Sequence, residues 1–561
     1  MPNLFSKDRI VAPPGFNRWR VPPASVAIHL CIGSVYAWSV FNPPLMKLRG
    51  VVASSADDWS LSEVNLIFTV AIVFLGLSAA VAGKWLERVG PRMVGSVSAC
   101  CWGGGFLIGG VGILTRQLWL LYLGYGVIGG IGLGLGYVSP VSTLIKWFPD
   151  RRGMATGLAI MGFGGGAIIG APLKEHLMES FYQPPRYLGT VEAVELQTDS
   201  GRRFANVDGE RREIVVVGKN EIPQMLVKEK EGVYVVGTGR TGAAETFFVL
   251  GWAYFVVILI AAFSYRVPAP EWKPTGWAPP VEGAAGTMIT SHNVTADAAI
   301  KTPQFYLLWI VLCFNVTAGI GVLGVAKTMM SEIFGTTLPL IVTSGFAGTF
   351  VLMMSVFNML GRFGWSTASD YLGRKRTYAL FFALGTALYA SIPWIAREQS
   401  QQPGVQWLIA FYAVAMVIFT MYGGGFAAIP AYLSDLFGTK FVGAIHGRLL
   451  TAWSTAAVLG HIAITNLREH SLRAALTDLA TKVDPILFEK TFGAVLTELP
   501  TLIAKKTVTL PKLMALVPSG TVDPSSTLYS STMLAMAGLL VIAFVANWLV
   551  RPVDPRHHCA S

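Results

Sequence analysis

An arginine inside an apolar run is the first residue whose chemistry needs explaining. Arg362 lies in SVFNMLGRFGWSTASD, eight residues before Asp370, which is about 12 Å of helix at 1.5 Å per residue. One reading is an arginine that snorkels toward the basic cluster Arg374, Lys375 and Arg376. Eight residues is deep for that, and an ionisable residue within a membrane helix is a functional site by default. A guanidinium keeps its charge and offers a planar fork that meets a carboxylate with two parallel hydrogen bonds. Arg362 is therefore read as an anion clamp, and Asn358, one turn earlier, is not an acid that would neutralise it.

Aromatic residues form the second constellation. SVYAWSVFNPP carries Tyr36, Trp38 and Asn42, LGLGYVSP carries Tyr137, and MGFGGGA carries Phe163. Tyr422 and Phe426 in TMYGGGFAAIPAY are four apart and share one helix face. Membrane aromatics commonly serve lipid belts or packing, but these sit beside glycine-rich segments where helices approach closely. Titratable groups are scarce: the long apolar runs hold almost no acid away from their ends. Only His29 and His461 could move a proton there, with hydrogen-bonded packing as the alternative role for each. No metal-ligand spacing, nucleotide loop or nucleophile elbow appears, so neither a metal, a cofactor nor an enzyme activity is expected.

The elements that must position these residues are membrane helices. Of 561 residues, 53% are hydrophobic and only 13% charged, about half the charge of a soluble domain. Twelve runs approach the roughly 20 residues that cross a bilayer: 24–46, 64–84, 93–114, 118–145, 153–173, 246–266, 304–328, 340–363, 377–396, 406–433, 441–466 and 530–550. The net charge of +11 comes from clusters at the ends of these runs, the pattern of cytoplasmic loops, and not from a nucleic-acid face. That bias predicts an integral multi-pass membrane protein with both termini in the cytoplasm. The divisions expected are an N-terminal segment 1–23, helices 1–5 over 24–173, an outer insert 174–245, helix 6 over 246–266 and a cytoplasmic linker 267–303. The second half repeats them: helices 7–11 over 304–466, an outer insert 468–529, helix 12 over 530–550 and a tail 551–561. REIVVVGKN and GVYVVGTG in the first insert read as strands, and the second insert reads as amphipathic helix.

A repeat links the halves. GKWLERVGPR after the second helix and GRFGWSTASDYLGRKR after the eighth share a small residue (Gly83, Ser366) four before an acid (Glu87, Asp370). A glycine follows three residues later (Gly90, Gly373), then basic residues (Arg92; Arg374, Lys375). A parallel repeat of two six-helix halves resembles the major facilitator superfamily, an all-α membrane fold. YAWSVFNPPL, GLGYVSPVSTLIKWFPDRRGMATGLAIMGFGGGA and YGGGFAAIPAYLSDLFGTKFVGAIHGRLLTAWS further resemble its oxalate/formate antiporter family, which exchanges small carboxylates. That resemblance implies that Arg362 binds the carboxylate and that Tyr36, Asn42, Tyr137, Phe163, Tyr422 and Phe426 line a cage around it. Oxalate-exchanging members carry a lysine in the eleventh helix, where this chain has Trp453. One arginine neutralises one carboxylate, and a buried second charge costs several kcal/mol. The expected substrate is thus a monocarboxylate such as lactate, pyruvate or formate, exchanged by alternating access by a monomer. Proton symport through His461 or His29, oxalate/formate exchange and a receptor role for the inserts remain open alternatives.

Overall fold

The structure, a computed structural model, describes residues 6–148, 152–269, 272–275, 290, 292–438 and 441–559. It is helical apart from one small sheet, and among the described residues eleven helices are long and apolar enough to cross a membrane. The twelfth, Thr451–Ala480, follows the short helix Val442–Leu449 and is more polar, carrying His461, Asn466 and the run REHSLR. The helices pair with the same pattern in both halves. Helix 1 packs on helix 5 as helix 7 does on helix 11, helix 2 on helix 4 as 8 on 10, and helix 3 on helix 6 as 9 on 12. The halves meet where helix 5 crosses helix 8 and helix 2 crosses helix 11, which is the same contact under the repeat.

The two loop glycines turn alike. Gly90 ends helix 2 (Leu61–Val89) at φ 84°, and Gly373 ends helix 8 (Ser344–Leu372) at φ 84°. A side chain is strained at that φ, so glycine makes each turn into the next helix. Two residues on, Arg92 donates to the Phe263 carbonyl at 3.2 Å and Lys375 to the Val550 carbonyl at 2.8 Å. Each basic residue thereby caps the last helix of its own half, where cations suit the exposed carbonyls. Arg374 bridges Asp370 and, at 3.4 Å, Asp435 at the end of helix 10. The side chain of Glu87 lies outside the described residues. Gly83 does not serve close approach: a methyl group there would meet nothing within 4 Å.

Several helices run further than their apolar cores. Helix 5 spans Arg152–Phe181, helix 7 Pro303–Phe334 and helix 11 reaches Ala480. The expected limits of 173, 328 and 466 therefore give way to helices of 30, 32 and 30 residues. Lys174, Glu175 and Arg468, read as insert residues, belong to helices. The first insert is a five-stranded antiparallel sheet of order β1-β5-β4-β3-β2. Its strands are β1 (Tyr187–Gly189), β2 (Gln197–Asp199), β3 (Arg202–Val207), β4 (Glu210–Val217) and β5 (Gly232–Val235). The second insert is helical, with Pro485–Phe492 and Leu499–Ala504. Arg203 donates to the Thr491 carbonyl at 2.6 Å and Thr198 to Phe492 at 2.8 Å, so the inserts form one cap. That cap ties the halves together, through Gln224 to the Val342 carbonyl at 2.9 Å on one side and Lys506 to the Asp58 and Trp59 carbonyls on the other.

Candidate substrate site

Helix 1 breaks where the site begins. Its α-helix ends at Gly33 and continues as a tighter 3-10 turn, Ser34–Val40, with Ala37 off helical geometry at ψ 25°. Pro43 and Pro44 follow and cannot continue the hydrogen-bond ladder. Carbonyls freed by such a break must find donors inside a membrane. Lys174 of helix 5 supplies them, donating to Ser34 at 2.8 Å and Ala37 at 3.3 Å with its ammonium 4.8 Å from the Phe41 ring. Tyr36 lies between those two carbonyls and is held facing the interface of the halves.

Arg362 reaches the same interface from helix 8, with 0% of its surface exposed. Glycine in MGFGGGA makes this approach feasible: a methyl group on Gly164 would stand 2.7 Å from the Arg362 Nε. Ser355 of helix 8 also donates to the Gly164 carbonyl at 2.5 Å, fixing the crossing. The Arg362 Nε donates to Asn358 Oδ1 at 3.0 Å, and its guanidinium lies 5.1 Å from the Phe426 ring and 5.9 Å from Phe163. Cation–π contacts of this kind hold the charge without neutralising it.

The aromatic residues close around it. Tyr36 and Tyr422 hydroxyls meet at 3.1 Å across the two halves, and Tyr36 stands edge-on to Phe163 at 5.0 Å. Trp453 touches Phe426 at 4.5 Å, Phe163 at 5.5 Å and Tyr137 at 5.7 Å. His29 joins from behind, 5.5 Å from Tyr137, its Nδ1 3.2 Å from the Ser25 carbonyl. Six aromatic residues singled out from sequence therefore converge on Arg362. Trp38 instead packs on Tyr125 at 4.6 Å in the core of the first half.

Most of the unused hydrogen-bonding groups of this cluster are N–H donors. Arg362 Nη1 and Nη2, Trp453 Nε1, Asn358 Nδ2 and the Tyr137 hydroxyl are buried with no hydrogen-bond partner of good geometry, although the Tyr36 and Tyr137 hydroxyls interact with the guanidinium. Buried polar groups are normally paired, and each exception asks for an explanation. A cluster rich in free N–H donors and lacking any carboxylate is built to receive an acceptor-rich anion.

Two expected site residues stand elsewhere. Asn42 lies beyond the cage and donates to the Gly324 carbonyl of helix 7 at 2.8 Å. His461 is 3.3 Å from Asn65 of helix 2. Both cross between the halves on the cap side of the cage, where Glu175 of helix 5 also pairs with the buried Lys327 of helix 7. Further out, Arg468 pairs with Glu332, its Nε donating at 2.8 Å, and Tyr529 donates to the same carboxylate at 2.6 Å. Sequence reading missed these charges because hydropathy stops at the first polar residue, whereas APLKEHLMESF continues helix 5 with no breaker after Pro172. Arg448, five residues before Trp453, pairs with Asp297 of the linker at 2.6 Å.

Comparison with known proteins agrees with this architecture. A profile of the Major Facilitator Superfamily matches residues 25–191. The oxalate:formate antiporter of Oxalobacter formigenes is 25% identical, the match covering 79% of this chain and 83% of that one. Apicoplast pyruvate carrier 1 of Toxoplasma gondii is 22% identical, over 75% and 78% of the two chains. In fold, a bacterial homologue of the human lysosomal transporter Spinster, crystallised inward-facing and unoccupied, superposes with a TM-score of 0.58 at 16% identity, covering 97% of this chain and all of that one. The chain is thus similar to the Major Facilitator Superfamily over residues 25–191 and, along most of its length, to an oxalate:formate antiporter.

Proposed function

We propose that this multi-pass membrane transporter exchanges small monocarboxylates, such as lactate, pyruvate or formate, through the cage around Arg362. The Arg362 guanidinium, met by tyrosine hydroxyls but by no carboxylate among the described residues inside its aromatic enclosure, carries the reading. A carboxylate takes both Nη atoms, and its short apolar part lies against Phe163, Phe426 and Trp453. Because Trp453 and not a cation closes the wall on helix 11, a second carboxylate would enter without a partner. Lys174 does not replace that cation, since its ammonium is committed to the Ser34 and Ala37 carbonyls.

Charge also accounts for exchange. Binding neutralises Arg362, and a ligand that interacts differently with two states shifts the balance between them. The empty carrier, with a bare guanidinium, reorients slowly, so transport proceeds by swapping one anion for another, with the termini facing the cytoplasm and the cap outside. Counterflow of labelled formate, lactate, pyruvate and oxalate into proteoliposomes tests this. Monocarboxylates are expected to exchange only with preloaded vesicles, and Arg362→Gln is expected to abolish exchange while the protein still inserts. Undiminished exchange by Arg362→Gln, or preference for oxalate, overturns the reading.

A second reading has one observation behind it. Glu175, paired with Lys327 across the halves, is an acid that could couple transport to protons. Uptake driven by a pH gradient in wild type but not in Glu175→Gln would favour symport over exchange.

A further inference from the structure

Above the cage lies a second, larger space. A cavity of about 900 Å³ opens beneath the cap, between the ends of helices 1, 2, 7 and 11 and both inserts. Its floor adjoins the contacts that close the cage. Met46 is one turn beyond Asn42, Thr328 one turn beyond Gly324, and Thr465 one turn beyond His461, each step being about 6 Å. The order along the molecule is thus chamber, a closing layer of inter-half contacts, then the cage.

The charges of the chamber are unequal. Glu332 is paired with Arg468 and Tyr529 and Glu469 with Arg473, while the carboxylate of Glu221, held by the Gly218 amide at 2.9 Å, acts on Lys47 and Lys512 from beyond ion-pair distance. The nearby Asp58, just off the wall, is taken by the amides of Arg49, Gly50 and Ser55. Three half-buried lysines, Lys47, Lys506 and Lys512, remain without an ion pair among the described residues. Lys506 is held by backbone carbonyls of Asp58 and Trp59, and Lys47 donates to the Val52 carbonyl at 3.2 Å. Burial draws the ammonium groups of all three below their usual range, a cost that an incoming anion offsets. Between them the wall is apolar, with Leu499, Ile503 and Leu510 of the second insert.

We propose that this chamber is an antechamber that binds a small organic monocarboxylate, held by Lys47 and Lys512, before the closing layer opens and Arg362 takes it. The inserts serve to build this room: they supply Lys506 and Lys512, and without them Lys47 would stand in open water, where an isolated charge attracts an anion weakly and salt screens it. The choice of anion rests on the carboxylate reading of the cage, while the existence of the chamber's anion site does not.

Saturation-transfer NMR with lactate on the full chain in nanodiscs tests it. In Arg362→Gln, where the cage is disabled, lactate contact is expected to persist. Adding Lys47→Gln and Lys512→Gln should weaken it roughly tenfold, the scale of a lost charge-assisted contact, and Lys47→Arg with Lys512→Arg should restore it. No contact in Arg362→Gln, or contact indifferent to the lysines, overturns the antechamber. In chains retaining Arg362, the double glutamine variant should raise the half-saturating lactate concentration from the cap side only. An equal rise on both sides, or none, would also overturn it. Failure of the cage reading shows separately, as counterflow that survives Arg362→Gln.

Discussion

Two kinds of buried charge sit within a few turns of each other. In the cage, Arg362 is enclosed by rings and has no carboxylate partner among the described residues. In the closing layer and at the chamber wall, Lys327 has Glu175, and Arg468 has Glu332. A buried pair offsets its own desolvation and holds two helices in one arrangement. An unpaired charge does neither, and tolerates burial only where a ligand completes it in the working cycle. The difference separates residues that fasten helices to one another from the residue that waits for cargo.

The largest expected effect lies on the fastened side. Glu175→Gln leaves Lys327, whose side chain is 3% exposed, without its carboxylate. Breaking a buried pair from one side costs about 3 kcal/mol or more. Thermal unfolding in detergent should show a clear fall in Tm, and Glu175→Gln with Lys327→Met should recover most of it. An unchanged Tm in the single variant would mean that the two kinds of charge do not differ.

Disturbing the waiting charge should cost transport and not stability. Gly164→Ala places a methyl group 2.7 Å from the Arg362 Nε and pushes the guanidinium off its rings. An exchange rate down by about ten- to a hundredfold is expected, the scale of a displacement near 1 Å at a reacting centre, with Tm nearly unchanged. If Tm falls and exchange does not, the glycine serves helix packing alone. Trp453→Lys sharpens the contrast by giving the cage a second cation. It should bring measurable oxalate counterflow and weaken lactate exchange by about tenfold, the price of one uncompensated charge contact.

Much of the cage was legible because its residues announce themselves locally. Arg362 stands out in an apolar run, Tyr422 and Phe426 share a face at a spacing of four, and the paired loop glycines fixed the two-half architecture. Asn42 lies past the cage because helix 1 breaks at Ala37, which a straight-helix reading hides, while His461 meets Asn65, as in its hydrogen-bonded alternative. The ion pair across the halves was illegible for a different reason. Glu175 and Lys327 are 152 residues apart, and nothing in either segment encodes the partner. The chamber required both inserts to fold together, through contacts such as Arg203 with Thr491 that no local pattern foretells.

The smallest expected effect belongs to the cap's rim, where charge is paired in water. Asp57 receives Arg202 at 2.6 Å and also meets Arg49, and these guanidiniums hold its carboxyl below the usual carboxylate range. A depressed carboxyl contributes stability that is present above its unfolded value near 3.9 and is lost as pH falls through the folded value. Because Asp57 is 43% exposed on its side chain, screening keeps the contribution to less than about 1 kcal/mol. Limited proteolysis of the cap should therefore be the same at pH 7 and pH 5 and only modestly faster near pH 3, with Asp57→Asn removing that difference. A large loss of protection between pH 7 and 5 would place the cap's strength in some other titrating group and would blur the line between paired charges in water and those sealed beneath it.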